Sequence, residues 1–257
     1  MKVFQHILGT SPKPDWEKLG FDPQFRLITT GGLWRKSKRN KVGLKSPDEV
    51  KVRQTARKLR DDGVQGCIDI EHWGDKDRYT QVADIIRDEC PGLAFGFYNV
   101  RMPIKNYWTP VRLAKQKVAR RKNAKKLAAY KKAFKGWQDE CAKWRIRDDG
   151  KRTPGDAVHV IYCSVYDPYQ KSPWWREYAE ANLAEAKKFH KPIVACICPE
   201  ATDRRIRGRA CTEEMMTEYL EVCSKYADSV FVFRSRGRPI DIENQPWWPV
   251  LQDFSSK

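Results

Sequence analysis

At 257 residues the chain is long enough for one large domain, and its 40% hydrophobic and 12% aromatic content supplies a real core. A formal net charge of +17 calls for an anionic partner, whether nucleic acid, acidic glycan or anionic cell-wall polymer. No apolar run approaches the roughly 20 residues that cross a bilayer, so no membrane span is expected.

The opening residues, Met1 to Gly9, have too short an apolar run and no cleavage site for a secretory leader. The eight cysteines are therefore expected as reduced thiols of a cytoplasmic protein rather than as disulfides. Cys67, Cys163, Cys196 and Cys198 fall in strand-like runs, where a thiol behaves as a small apolar group. Cys196-x-Cys198 has no second pair at ligand spacing, so neither a metal nor another cofactor is expected.

Strand-like and helix-like segments alternate from end to end. Short apolar runs at 25–30, 66–71, 93–98, 158–165, 192–198 and 229–233 read as strands buried on both faces, hence a parallel sheet under helices. Ser46-Pro47-Asp48-Glu49 reads as a capped helix start, with Ser46 as the N-cap, and Gly63 closes that helix. Further helices are expected over 76–88, from Ser172-Pro173 through Ala186, and from the Thr212 cap to Tyr226.

Residues 104–152 break this rhythm. They hold 17 Lys or Arg against 4 Asp or Glu, while the rest of the chain is close to neutral. Leu127, Tyr130, Phe134, Trp137, Cys141 and Trp144 recur at alternating spacings of three and four, the apolar stripe of an amphipathic helix. The segment reads as a long basic helical insertion after the third clear strand. Its outer face is either simply solvated or a platform for a polyanion. The whole is expected to be an α/β chain forming one (β/α)8 TIM-like barrel over 1–257, working as a monomer.

In such a barrel the chemistry sits at the C-terminal strand ends. The run 66–73 ends in Asp69 and Glu71, two residues apart and so on one face of a strand. Two carboxylates placed together shift one another's pKa and suit acid catalysis of glycosidic cleavage; they also suit a pair of solvated acids bridged to lysine or arginine. Other strand ends bring Tyr98, then Tyr162, Tyr166 and Asp167, then Glu200 and Arg234. The basic loops Lys36 to Lys41 and Arg204 to Arg209 lie in connections.

Three ordered motifs resemble the hyaluronidase-type glycoside hydrolases. Asp69-Ile70-Glu71-His72-Trp73 is similar to that family's Asp-aromatic-Glu-x-Trp, Gly96-Phe97-Tyr98 to its Gly-Tyr-Tyr, and Ile161-Tyr162-Cys163-Ser164-Val165-Tyr166 to its Leu-Tyr-Pro-Ser-x-Tyr. The likeness covers roughly residues 60–100 and 155–235. It implies that Glu71 is the general acid and that Asp69 orients a substrate acetamido group acting as nucleophile, with Tyr98 and Tyr166 hydrogen-bonding that group. Trp73, Tyr162 and Asp167 would contact substrate. Arg234 stands where the family tends to have a Trp, and there would put a cation near the pocket. Trp247 and Trp248 would either replace the missing aromatic wall or close the barrel base. The implied substrate is an anionic or N-acetylamino-sugar polysaccharide. The alternative is a nucleic-acid-binding protein, or an inactive barrel scaffold, that uses 104–152; no helix-turn-helix, zinc-finger or RNA-recognition signature accompanies it.

Overall fold

The computed structural model describes residues 1–7, 14–29, 33, 47–69, 76–98, 111, 114, 124–147, 149–166, 175–201, 208–234 and 240–256. Seven strands and six helices lie among the described residues: β1 (Lys2–Ile7), β2 (Phe25–Thr29), α1 (Glu49–Asp61), β3 (Gln65–Asp69), α2 (Lys76–Glu89), β4 (Phe95–Phe97), α3 (Ala124–Arg145), β5 (Ile161–Ser164), α4 (Trp175–Lys187), β6 (Ile193–Ile197), α5 (Glu213–Tyr226), β7 (Ser229–Arg234) and α6 (Trp248–Ser255).

Every strand pair is parallel, in two ladders ordered β2-β3-β4 and β5-β6-β7-β1. A parallel bridge between Tyr98 and Tyr162 joins the ladders, and the His159 N–H donates to the Phe95 carbonyl at 2.9 Å beside it. Because β1 pairs with β7, the order runs round a circle. Between β1 and β2 the Asp22 N–H donates to the Val3 carbonyl at 2.9 Å, and Phe4 stacks on Phe25 with centroids 5.2 Å apart. The architecture is the α/β, TIM-like barrel expected from the alternation of elements.

Sequence reading missed β1. Lys2, Gln5 and His6 interrupt its apolar pattern, and its partner lies at the far end of the chain. The first helix is capped by Asp48, whose side chain accepts from the Lys51 N–H, and not by Ser46, which lies outside the described residues. Gly63 closes that helix at φ +63°, a conformation that glycine adopts without strain. Thr212 caps α5 as expected, accepting from the Met215 N–H.

Two apolar layers hold the barrel. Between strands and helices lie residues such as Val3, Ile68, Phe97, Leu183, Val232 and Leu251, all nearly inaccessible. Inside the barrel lie Phe4, Cys67, Tyr162, Val194, Cys196 and Phe231. Phe25 packs 4.3 Å from Phe231 and 5.8 Å from Tyr162, between ring centroids. All eight cysteines are buried and unpaired. Burial is the main reason the thiol pKa is raised at Cys67, Cys211 and Cys223.

The basic helix α3 docks by part of its stripe. Trp137, Cys141 and Trp144 are buried and Tyr130 and Phe134 half-buried, while Leu127 is 44% exposed. Trp144 meets Tyr79 edge-on at 5.8 Å, and Tyr79 meets Phe97, the last residue of β4, at 5.1 Å. The C-terminal end of α3 is therefore packed on α2 beside β4. α3 runs parallel to α4, since the Tyr130 hydroxyl donates to Glu177 near the start of α4 and Arg145 pairs with Glu185 near its end at 2.9 Å. A non-helical segment then returns to β5 along α2. Arg147 pairs with Asp77 at 2.6 Å, Arg152 with Asp84, and Arg87 donates to the Asp156 carbonyl at 3.4 Å. That route carries the chain to the start of β5, with α3 lying between α2 and α4.

Two measurements follow from this packing. A Cβ on Gly96 would lie 2.0 Å from the Val160 carbonyl oxygen and 2.9 Å from the Tyr162 ring, so overpacking should destabilise Gly96→Ala by about 2 kcal/mol or more in urea unfolding. Gly136→Ala, in open space on α3, should instead stabilise by about 0.5–1 kcal/mol. His159 packs against Phe95 with its Nδ1 buried, and burial, with Arg87 and Lys191 nearby, holds its pKa below the usual value. The folded chain then binds this proton less tightly than the unfolded chain. Stability should be greatest above the unfolded value near 6.5 and fall as pH drops from there toward the folded value. The urea midpoint should decline from about pH 7 to about pH 5, and His159→Leu should flatten that decline.

Candidate active site at the strand ends

Pleating decides which side chains face the barrel interior. On β3, Cys67 lies in the interior cluster, so Asp69, two residues on, projects from the same face at the strand's C-terminal end. Asp69 is half-buried, and its charge, after burial and Cys196, helps keep the Cys67 thiol protonated. Tyr98 and Tyr166 belong to the same interior cluster, from the ends of β4 and β5, and are 9% and 8% exposed. The Tyr98 N–H donates to the Ile68 carbonyl at 2.8 Å, which fixes the end of β4 against β3. Asp69, Tyr98 and Tyr166 therefore gather at one mouth of the barrel. Glu71, Trp73 and Asp167 lie outside the described residues.

The remaining candidates sit elsewhere. Tyr162 faces inward but is fully buried, one layer below the mouth, with its ring against Gly96. Burial, then the Cys67 and Cys196 thiols, pushes its phenol pKa well up, and its hydroxyl finds no hydrogen-bond partner among the described residues. It forms the floor of the site rather than a substrate contact.

Arg234 follows the parity of Val230 and Val232, which pack toward the helices, while Phe231 lies inside the barrel. Its side chain is 3% exposed and its Nε donates to Glu200 Oε1 at 2.6 Å. The expected cation in the pocket is thus a buried ion pair that locks the end of β7 to the chain just after β6. Glu200 escaped the sequence reading as a partner, although a carboxylate directly after Cys198-Pro199 at a strand end was its signal.

Trp247 and Trp248 are 0% and 3% exposed in the layer between strands and helices. Trp248 stacks on Phe21 at 6.1 Å, next to Asp22, which bonds to the start of β1. They close the base and do not line the mouth.

The Arg204 to Arg207 run lies outside the described residues, but the stem that carries it is clear. The Ala201 N–H donates to the Arg209 carbonyl at 2.8 Å and the Cys211 N–H to the Pro199 carbonyl at 2.8 Å, around the Glu200–Ala210 bridge. No helix among the described residues is long and apolar enough to cross a membrane.

No protein-family model matches the chain, and no curated protein matches it. Among solved structures, the monoclinic crystal structure of bee venom hyaluronidase matches with a TM-score of 0.57 at 12% identity, covering 91% of this chain and 91% of that one. The same protein in complex with a hyaluronic acid tetramer matches at 0.47, 12% identical, over 91% and 90%. GH26C from a Muricauda species matches at 0.49, 12% identical, over 100% of this chain and 85% of that one. The last two scores are too low to carry weight. The first shows the fold: the chain is built on a barrel like that of bee venom hyaluronidase.

Proposed function

We propose that the protein is a glycoside hydrolase acting on an anionic or N-acetylamino-sugar polysaccharide. The observation that carries the reading is the meeting of Asp69, Tyr98 and Tyr166 at the C-terminal mouth of a parallel barrel, the end at which such barrels do their chemistry. The barrel shared with bee venom hyaluronidase supports the reading at the level of fold.

Glu71 follows Asp69 by two residues and is assigned as the general acid by its sequence motif. In the reaction the acetamido oxygen of the substrate attacks the anomeric carbon, the glycosidic C–O bond breaks, and Glu71 gives its proton to the leaving oxygen. Asp69 orients the acetamido N–H. Tyr98 and Tyr166 hydrogen-bond the acetamido group and hold it against the anomeric carbon. Water then opens the cyclic intermediate, and Glu71 takes back a proton. The buried floor of Tyr162 and Cys67 keeps this end of the barrel dry and strengthens those hydrogen bonds.

Reducing-end release from hyaluronan, chondroitin and peptidoglycan by the purified protein tests the assignment. Glu71→Gln should lower turnover by about 10²–10⁴-fold while glycan binding is retained. Tyr166→Phe should lower it less, on the order of tenfold, through loss of one hydrogen bond. Undiminished turnover in Glu71→Gln would overturn the assignment, as would no release from any of these polymers by the unmodified protein.

A further inference from the structure

The charge on this chain is placed as well as abundant. Residues 99–138 contain 13 Lys or Arg and no Asp or Glu. Within α3, the two acids Asp139 and Glu140 lie in the C-terminal half, where they pair with Lys135 at 2.8 Å and with Lys143. Lys125, Lys131 and Lys132 are exposed and have no ion-pair partner among the described residues. They lie on the face opposite Trp137 and Cys141, interleaved with exposed Ala128, Ala129 and Gly136. This face is cationic and offers no aromatic ring on which a nucleobase could stack.

The geometry of the fold gives the face a direction. Trp144 packs on Tyr79 of α2, and α3 runs parallel to α4, whose own start is tied by the Trp175 indole N–H to the Val165 carbonyl beyond β5. With 22 residues at about 1.5 Å each, α3 is about 33 Å long. Because Tyr130 bonds to Glu177 near the start of α4, Lys131 and Lys132 stand level with the strand ends that carry Tyr98 and Tyr166, and Lys125 lies between one and two turns further out.

We propose that the solvent face of α3 is a docking track for an anionic polysaccharide, holding the polymer outside the cleavage site and leading it toward the barrel mouth. The inference rests on the hydrolase reading for its choice of polymer. Charge complementarity supplies the attraction, and release of counterions from the polymer makes it salt-dependent. The small residues between the lysines leave room for a polymer chain to lie close along the helix.

The test compares two variants with equal loss of charge. Lys125, Lys131, Lys132 and Lys135 are changed to Gln in one; Lys58, Lys151, Lys187 and Lys225, exposed elsewhere, are changed to Gln in the other. Glutamine keeps the helix propensity of lysine, so α3 should remain folded. Binding of fluorescent chondroitin sulfate chains is titrated at low and moderate salt, with uncharged dextran and duplex DNA as comparisons. The α3 variant should lose about tenfold or more in affinity and show a shallower salt dependence, whereas the control should lose about twofold or less. Equal losses in both variants would overturn the track, because bulk charge would then explain the binding. Tighter binding of DNA than of chondroitin sulfate, lost in the α3 variant, would overturn the choice of glycan. Turnover measured beside binding separates the two readings. Glycan cleavage with full affinity in the α3 variant overturns the track alone; an intact track with no cleavage of any glycan supports the track and overturns the hydrolase.

Discussion

The approach of β4 to β5 is the constraint on which the barrel depends. Here the two ladders meet through one bridge and the bonds to the Phe95 carbonyl, and the Tyr162 ring occupies the space a side chain at position 96 would need. Glycine at 96 lets the strands close. The ring it admits becomes the floor under Asp69, Tyr98 and Tyr166. A single absent Cβ therefore links the closure of the fold to the depth of its mouth, and the phenol beneath finds no hydrogen-bond partner among the described residues.

Periodicity made much of this legible. Six strands announced themselves as short apolar runs because both faces of a barrel strand are covered. The stripe from Tyr130 to Trp144 located α3, because a helix must bury one side. Parity failed where a residue's partner, rather than its spacing, decides its role. Arg234 was read by its place at a strand end; its side of the sheet follows from Phe231 facing inward, and its charge is matched by Glu200, far away in sequence. Trp247 and Trp248 could be read either as an aromatic wall or as closing the base, and the choice is made by Trp16 and Phe21 from the other end of the chain, which pack on Trp248. Asp69, Tyr98 and Tyr166 could be placed at one mouth from the sequence because strand ends are fixed locally and barrel geometry then collects them.

The electrostatics divides into two regimes. Across α1, α2 and the segment returning to β5, basic side chains are matched: Arg53 reaches Glu49, Asp88 and Glu89, Arg57 also reaches Glu89, and Arg147 binds both Asp77 and Asp149. These pairs hold the carboxylates of Glu89 and Asp149 below their ordinary range. The N-terminal half of α3 has no such acids. Net charge alone does not distinguish the two regimes, since it sums cations already committed to the fold with cations still available to solvent.

The burial of all eight cysteines has a consequence for how the chain meets reagents. Thiolates, not thiols, react with alkylating agents and oxidants, and a buried thiol with a raised pKa is doubly shielded. The folded barrel therefore presents no ready nucleophile of this kind, and the cysteines on five of its strands and helices become reactive only as those elements part. Chemical modification of this protein would be a clock of its breathing: each cysteine records how often its own wall of the barrel opens.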